Sequence, residues 1–273
     1  MNMRITLGIT LAAFLGLASA AAADTVSTLP ALPPRDDVHW SFQDTFFGHY
    51  DRAQLQRGFQ VYKEVCSACH SLNRIQFHNL DEPGGPGFTE EQAKAIAAGY
   101  KIPAEPDDTN KGQIYDSSGN RVTRAGSLAD HFPAPFPNEF AARAANNGAL
   151  PPDLSIIVKA RAGGPNYVFS ILTGFKKTPP ANFKVLANKY YNPYFDGRNI
   201  SMPPPLADGS VTFSDGSPND VEHEAEDIVA FLTWASETKM EQRKELGLEV
   251  IIFLLVLSGL LYLSYRKIWH DKH

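Results

Sequence analysis

The 273-residue chain has only two cysteines, which excludes a scaffold stapled by several disulfides. It also lacks a basic excess: 25 Lys and Arg against 30 Asp and Glu leave a net charge of −5 at pH 7. A nucleic-acid binder is excluded on that ground, because nothing supplies phosphate neutralisation. No internal repeat is visible, and methionine is scarce at four residues. What remains is a globular composition, 43% hydrophobic, 20% charged and 11% aromatic. That rules out disordered, collagen-like and coiled-coil chains. Gly and Pro number 20 each, so much of the fold is loop. The length suits one or two domains.

Both ends are expected to lie outside the globule. Residues 1–23 read as a secretory signal: Arg4 is the only charge, an apolar stretch runs from Ile5 to Leu17, and small residues from Ala18 to Ala23 precede Asp24. The alternative is an N-terminal membrane helix, for which the run is short. A second apolar run, Leu246 to Tyr265, has the length of a spanning helix and is apolar on every face from Val250 to Leu257. A buried core helix at the chain end is the alternative there. Tyr262, Tyr265 and Trp269 suit a headgroup layer, and Arg266, Lys267 and Lys272 lie beyond it. Lys239, Arg243 and Lys244 weaken the charge asymmetry, so the signal decides the orientation. The expected order is signal 1–23, periplasmic domain 24–245, transmembrane anchor 246–265 and cytoplasmic tail 266–273.

Within the exported domain, Leu29 to Pro34 is an extended Pro-rich arm. Leu55, Phe59, Tyr62 and Cys66 recur at three- and four-residue steps, which predicts a helix from Gln54. Thr89 with Gln92 forms a capping-box pattern opening a helix that Gly99 closes. Residues 83–87 are loop, and 101–137 form a long irregular excursion. Short helices are predicted at 138–146, 153–161 and 165–174, and residues 175–205 are packed but irregular. Asp208-Gly209 and Asp215-Gly216 flank a predicted hairpin. A strong helix follows, capped by Ser217, with Ile228, Phe231, Leu232 and Ala235 on its apolar stripe and room to run on toward the anchor.

The chemistry is concentrated in Cys66-Ser67-Ala68-Cys69-His70, a Cys-x-x-Cys-His pattern that reads as a c-type haem attachment site. Two thiols at this spacing reach the two vinyl groups on one porphyrin edge, and the next residue offers an imidazole to the iron. A zinc site would need two further ligands. A thioredoxin-like dithiol would need a βαβ frame. For a second axial ligand, the chain beyond the signal offers Met202, in Ser201-Met202-Pro203-Pro204-Pro205, and Met240, in a charged stretch next to the membrane. Prolines stiffen the first segment and offer no competing N–H groups. Met202 is preferred over Met240 and over His39, His49, His78, His131 and His223.

These residues, taken in order, resemble the cytochrome c1 family of bacterial type, the haem subunits of the quinol–cytochrome c oxidoreductase, or cytochrome bc1 complex. The matching stretches are Arg57–Tyr62 running into Cys66–His70, Ala145–Ser155, Lys159–Gly164 with Tyr167–Phe169, Tyr191–Phe195, Met202–Leu206 and Phe231–Glu237. The resemblance implies a mainly α, c-type cytochrome fold with long irregular insertions plus one C-terminal transmembrane helix. It implies one haem c, bound through Cys66 and Cys69 and ligated by His70 and Met202. Arg161 matches a position that pairs with a haem propionate, a role suited to a bidentate guanidinium. Pro151, Pro152 and Tyr167 match haem-pocket positions. Without the resemblance Arg161 is a surface arginine, and the other three are loop and core packing. Gly58 and Tyr62 match the N-terminal helix of small cytochromes c where it crosses the C-terminal helix. Some bacterial members carry a further cysteine pair that this chain lacks, so any stiffening it gives must come from packing.

The implied role is electron transfer, from a Rieske iron–sulfur protein to a cytochrome c, beside cytochrome b in a dimeric complex of the bacterial inner membrane. No side chain is expected to do acid–base or nucleophilic chemistry, so the chain counts as an enzyme only as a subunit. The alternatives are a free-standing tethered cytochrome and the cytochrome subunit of a periplasmic dehydrogenase; the long body between His70 and Met202 favours a complex subunit. The acids Asp215, Asp220, Glu222, Glu224, Glu226 and Asp227 form a run without Lys or Arg, expected to steer a basic partner. Covalent attachment predicts that the denatured, acid–acetone-extracted chain keeps its haem and peroxidase stain; a colourless polypeptide would overturn the reading.

Overall fold

A computed structural model describes residues 27–44, 47–106 and 113–270. The signal read at 1–23 lies outside the described residues. The first helix, α1 (Arg52–Glu64), starts where the Asp51 carboxylate accepts from the Gln54 N–H at 3.0 Å. Its three- and four-residue apolar spacing buries Leu55, Phe59 and Tyr62 together. The helix stops before Cys66, and Cys66–Ala68 form a tighter 3-10 turn. Helix α2 (Glu90–Ala98) carries the reciprocal capping box between Thr89 and Gln92 and closes at Gly99. Helices α3 (Glu139–Ala145) and α4 (Gly164–Thr173) fall where the pattern predicts, the first capped by Asn138 and the second closed by Gly174. Then come α5 (Val221–Ser236) and α6 (Met240–Trp269). Among the described residues, strands are confined to two antiparallel pairs, Lys101–Pro103 with Thr123–Ala125 and Tyr190–Tyr191 with Asn199–Ile200. The fold is mainly helical with long irregular connections.

Three local expectations give way to side-chain chemistry. Residues 153–161 are successive turns and not a helix, because Asp153 and Ser155 bond residues 71–74. No strand forms in 208–216; Val211 instead donates its N–H to the buried Glu224 carboxylate at 2.9 Å. The cap of α5 is Asp220, which accepts from the Glu222 and His223 N–H groups, and not Ser217. The irregular excursion at 101–137 also holds the short ladder named above.

The core is built on the contact between α1 and α5. Phe59 and Tyr62 meet Phe231 at centroid distances of 5.8 and 6.0 Å, and Tyr62 meets Phe132 edge-on at 6.0 Å. Gly58 is the closest point. A Cβ there would press on the Asp227 carbonyl and stand 2.7 Å from the Phe231 Cβ. Beside it, the Arg57 guanidinium grips the buried Asp227 carboxylate through Nε at 2.8 Å and Nη2 at 3.0 Å. A smaller cluster lies apart, with Ile171, Tyr194 and Ile200 at its centre and Tyr167, Phe175, Phe195 and Met202 around it. Helix α4 has a face in each: Phe169 is in the main core and Ile171 in the smaller cluster.

Helix α5 does not run into α6; residues 237–239 break the two. The break is pinned. Glu237 binds Lys159 at 2.9 Å and also Arg243, and Lys239 binds Glu82 at 2.9 Å. Met240 is buried, and the Lys244 ammonium donates to the carbonyls of Phe42, Asp44 and Gly48. Beyond that the helix is exposed on all sides, with a mean hydropathy of 2.5 over its apolar stretch. Thirty residues rise about 45 Å, enough to cross a hydrocarbon core of about 30 Å.

The Gly58 contact generates a prediction. An alanine gains about 1 kcal/mol of helix propensity, but the Cβ meets backbone, which cannot rotate aside. Gly58→Ala is expected to lower stability by about 1–3 kcal/mol net, read as a drop in the denaturant midpoint. An unchanged or raised midpoint would show that the helices part freely.

Candidate functional site

The site begins where α1 ends. Val65 closes the helix, and the N–H groups of Cys69 and His70 both donate to the Cys66 carbonyl, at 3.1 and 2.9 Å. This compact turn places Cys66 half-buried on the main core and Cys69 at the surface, both as free thiols. Burial pushes the Cys66 thiol up to about 12, with Cys69 adding to the shift. The Tyr62 hydroxyl reaches the His70 carbonyl at 3.4 Å, tying the turn to the core.

The imidazole of His70 is oriented by one bond. Its Nδ1 lies 2.8 Å from the Pro152 carbonyl. A carbonyl can only accept, so Nδ1 carries the proton and Nε2 keeps a lone pair for a metal. Burial holds the imidazole below its ordinary value, against the opposing pull of the Pro152 bond and Asp153. The ring is therefore neutral at neutral pH, as ligation requires.

The Pro152 carbonyl is held in place by the next residue. One oxygen of Asp153 accepts from the Ser71 hydroxyl at 2.7 Å and the Asn73 N–H at 2.9 Å; the other takes the Ser155 N–H at 2.9 Å. Leu154 N–H donates to the Ser71 carbonyl, and Arg74 N–H to the buried Ser155 hydroxyl. The strand of chain after His70 is thus clipped to the strand after Pro152. Burial alone would raise the Asp153 carboxyl, but these donors hold it below the usual carboxylate range. The sequence reading missed this clip. Its only signal was an Asp followed two residues on by Ser, the pattern of an Asx turn.

The other candidates fall in two places. Pro152 meets His70 through its carbonyl, and Pro151 precedes it in the same segment. Arg161 is exposed, donates to the Ala160 carbonyl at 3.0 Å and forms no ion pair among the described residues. Its charge lowers the Tyr167 phenol, although burial, the largest cause, raises that group overall. Tyr167 and Met202 both pack on the smaller cluster. Among the passed-over ligands, Met240 is buried at the foot of the domain. His39 and His223 bond Asp44 and Asp220, His49 bonds the Phe47 carbonyl, and His78 and His131 bond Asn79 and Gln76.

The donor set fits a covalent haem. Among the described residues the two thiols are unbridged, a neutral imidazole with a free Nε2 follows them, and Arg161 offers a guanidinium without a carboxylate partner. Among the described residues no three His, Cys, Asp or Glu side chains come together, which leaves zinc short of ligands. The Cytochrome C1 family matches residues 40–272. The chain belongs to the cytochrome c1 family. Among its relatives are the cytochrome b/c1 of Bradyrhizobium diazoefficiens, 45% identical over 252 residues, which cover 86% of this chain and 35% of that polypeptide. The cytochrome c1 of Rhodospirillum rubrum is 45% identical over 250 residues, covering 86% of this chain and 87% of that one. The mitochondrial cytochrome c1 heme protein of Saccharomyces cerevisiae is 44% identical over 233 residues, covering 85% and 69%. Proteins of the cytochrome c1 family carry a covalently attached haem c and are the haem subunits of the bc1 complex.

The acidic run at 215–227 does not form the open rim expected of it. Glu224 and Asp227 are buried. Glu222 pairs with Arg35, Asp215 with Arg57, and Asp220 with His223. Most of these charges serve internal structure, because they cap and anchor α5.

The Asp153 clip generates a prediction with a definite pH sign. Its folded value is depressed, so its contribution is fully present above the unfolded carboxylate value of about 3.9 and is lost as pH falls through the folded value. Asp153→Ala leaves the Asn73 and Ser155 N–H groups unpaired and is expected to cost about 1–3 kcal/mol at neutral pH. Denaturant midpoints measured from neutral to acid pH should converge for the two chains. A gap that stays constant below pH 3 would remove the carboxylate from the account.

Proposed function

We propose that this chain accepts one electron at a time from a Rieske iron–sulfur protein and passes it to a cytochrome c, as a subunit of a dimeric bc1 complex. The observation that carries the reading is the pairing of two free thiols, Cys66 and Cys69, with a His70 ring whose Nε2 is freed by the Pro152 carbonyl. When bound, the haem supplies a one-electron couple, and the protein sets its potential and access. Cys66 and Cys69 would hold it by thioether bonds and His70 would ligate it. Met202 is the proposed sixth ligand, since Met240 is buried among the core residues at the start of α6. Arg161 would meet a propionate, with Tyr167 beside it; Pro151 and Pro152 would line the His70 side.

The haem domain is proposed to face the periplasm, with α6 as the single anchor. The signal-like residues 1–23 support that orientation, and the Lys244 bonds to the globule put the foot of the domain at the start of α6.

The experiment is a pair of variants. Met202→Leu should keep covalent haem, lower the potential, lose the far-red ferric charge-transfer band and admit carbon monoxide. Met240→Leu should do none of these. The reverse result would reassign the ligand. A chain truncated after Glu245 keeps Lys244 and Met240, and should be released as a water-soluble haem protein with an unchanged spectrum.

A further inference from the structure

Met202 lies on no helix and outside the main core. Its loop has one two-residue ladder and the smaller apolar cluster to shape it. A methionine side chain has three rotatable bonds, so the loop must be fixed if the thioether is to stay in one place. Two separate sets of hydrogen bonds do this.

The first centres on Asn192, which is completely buried. Its Nδ2 donates to the Ile171 carbonyl at 2.7 Å, within the last turn of α4, and its Oδ1 accepts from the Tyr194 N–H at 3.1 Å. Carbonyls in a last helical turn lack an intrahelical partner, so the amide caps α4 and shapes the loop at once. Gly174 makes room for it: a Cβ there would stand 2.7 Å from Asn192 Oδ1 and 2.8 Å from Tyr194 Cδ2.

The second set comes from the N-terminal arm. Leu32 N–H donates to the Pro193 carbonyl at 2.8 Å, Arg198 Nε to the Pro30 carbonyl at 2.9 Å, and Asn199 Nδ2 to the Ser27 carbonyl at 2.6 Å. The same arm is fastened to α4 and α5. Arg35 N–H meets the Ser170 hydroxyl at 2.7 Å, and its guanidinium meets Thr173 at 3.2 Å and the Glu222 carboxylate at 3.0 Å. The guanidinium also lies over the Phe169 ring, 4.8 Å from its centre.

We infer that Asn192 and the 27–35 arm are positioning elements for Met202, holding its loop against α4 so that the thioether stays on the iron. The inference rests on the reading of Met202 as the sixth ligand. Asn192 caps α4 from the loop side, and the arm spans loop and helix from the outside. Loosening either lets the loop move off without disturbing the Cys66–His70 turn, which is held by the separate Asp153 clip.

The test uses the full chain in membranes with Met202→Leu, Asn192→Ala and the double variant Arg198→Ala/Asn199→Ala. Readings are taken well below the unfolding temperature of each. All should retain haem after denaturation. Asn192→Ala should shift the potential down, weaken the far-red ferric band and admit carbon monoxide to the reduced protein. The double variant should shift the same readings in the same direction to a smaller extent. It also decides the matter if Asn192→Ala does not fold, because its two bonds to the arm are exposed or half-buried, and the one other bond it removes is from the exposed Leu186 N–H to Asn199 Oδ1. If Met202→Leu admits carbon monoxide while the double variant, and Asn192→Ala if it folds, keep the parent potential and exclude it, the positioning role is overturned and the ligand reading stands. If Met202→Leu itself excludes carbon monoxide, both are overturned.

Discussion

The close approach of α1 to α5 at Gly58 is the constraint on which the rest depends. Any side chain at that point would push into the backbone of Asp227, and the neighbouring Arg57 holds the Asp227 carboxylate in a two-pronged grip. The register of the two helices is therefore set by sterics at one residue and by charge at the next. With that register fixed, Tyr62 lies between Phe231 and Phe132 and its hydroxyl reaches the turn that begins at Cys66. The attachment segment inherits its position from a helix crossing about two turns away. Burying a charged pair beside the crossing is costly, and the bidentate geometry is what offsets it.

The two sides of the proposed haem site are supported differently. On the His70 side, Ser71, Asn73 and Arg74 are tied to the Asp153 carboxylate and the Ser155 hydroxyl, about eighty positions on. On the Met202 side, Asn192 reaches Ile171, 21 positions away, and the arm's bonds span more than a hundred, as between Pro30 and Arg198 or Arg35 and Glu222. Both sets close long loops, and the chain entropy this costs grows only slowly with loop length. The arm's bonds to Ser170 and Glu222 need α4 and α5 side by side.

The distance in sequence between these partners also explains how much was legible in the sequence. Cys66, Cys69 and His70 declare themselves, since the spacing is the chemistry. Helix α2 was readable from Thr89 and Gln92 because the two halves of its cap lie three residues apart. The turns at 153–161 were not, because Asp153 and Ser155 spend their hydrogen bonds on residues eighty positions earlier and no local pattern records that. Asp220, and not Ser217, caps α5 for a similar reason: both residues suit the role, and the choice is made where Val221 N–H meets Asp208. The acids at 215–227 looked like a surface field, yet Glu224 and Asp227 face inward because Val211 and Arg57 arrive from elsewhere in the chain. Asn192 and Arg35 carried no signal beyond their type, and their roles exist only once the loop and the arm are in place.

The junction at residues 237–239 has a mechanical consequence. Glu237, Lys239 and Lys244 each fasten the foot of the domain to a different part of the globule, and Met240 is packed into it. The globule and its membrane helix are thus braced like a mast stepped into a deck, without a slack tether between them. A domain mounted in this way turns with its helix instead of swinging on a loose linker, so the direction of α6 carries over to the whole globule.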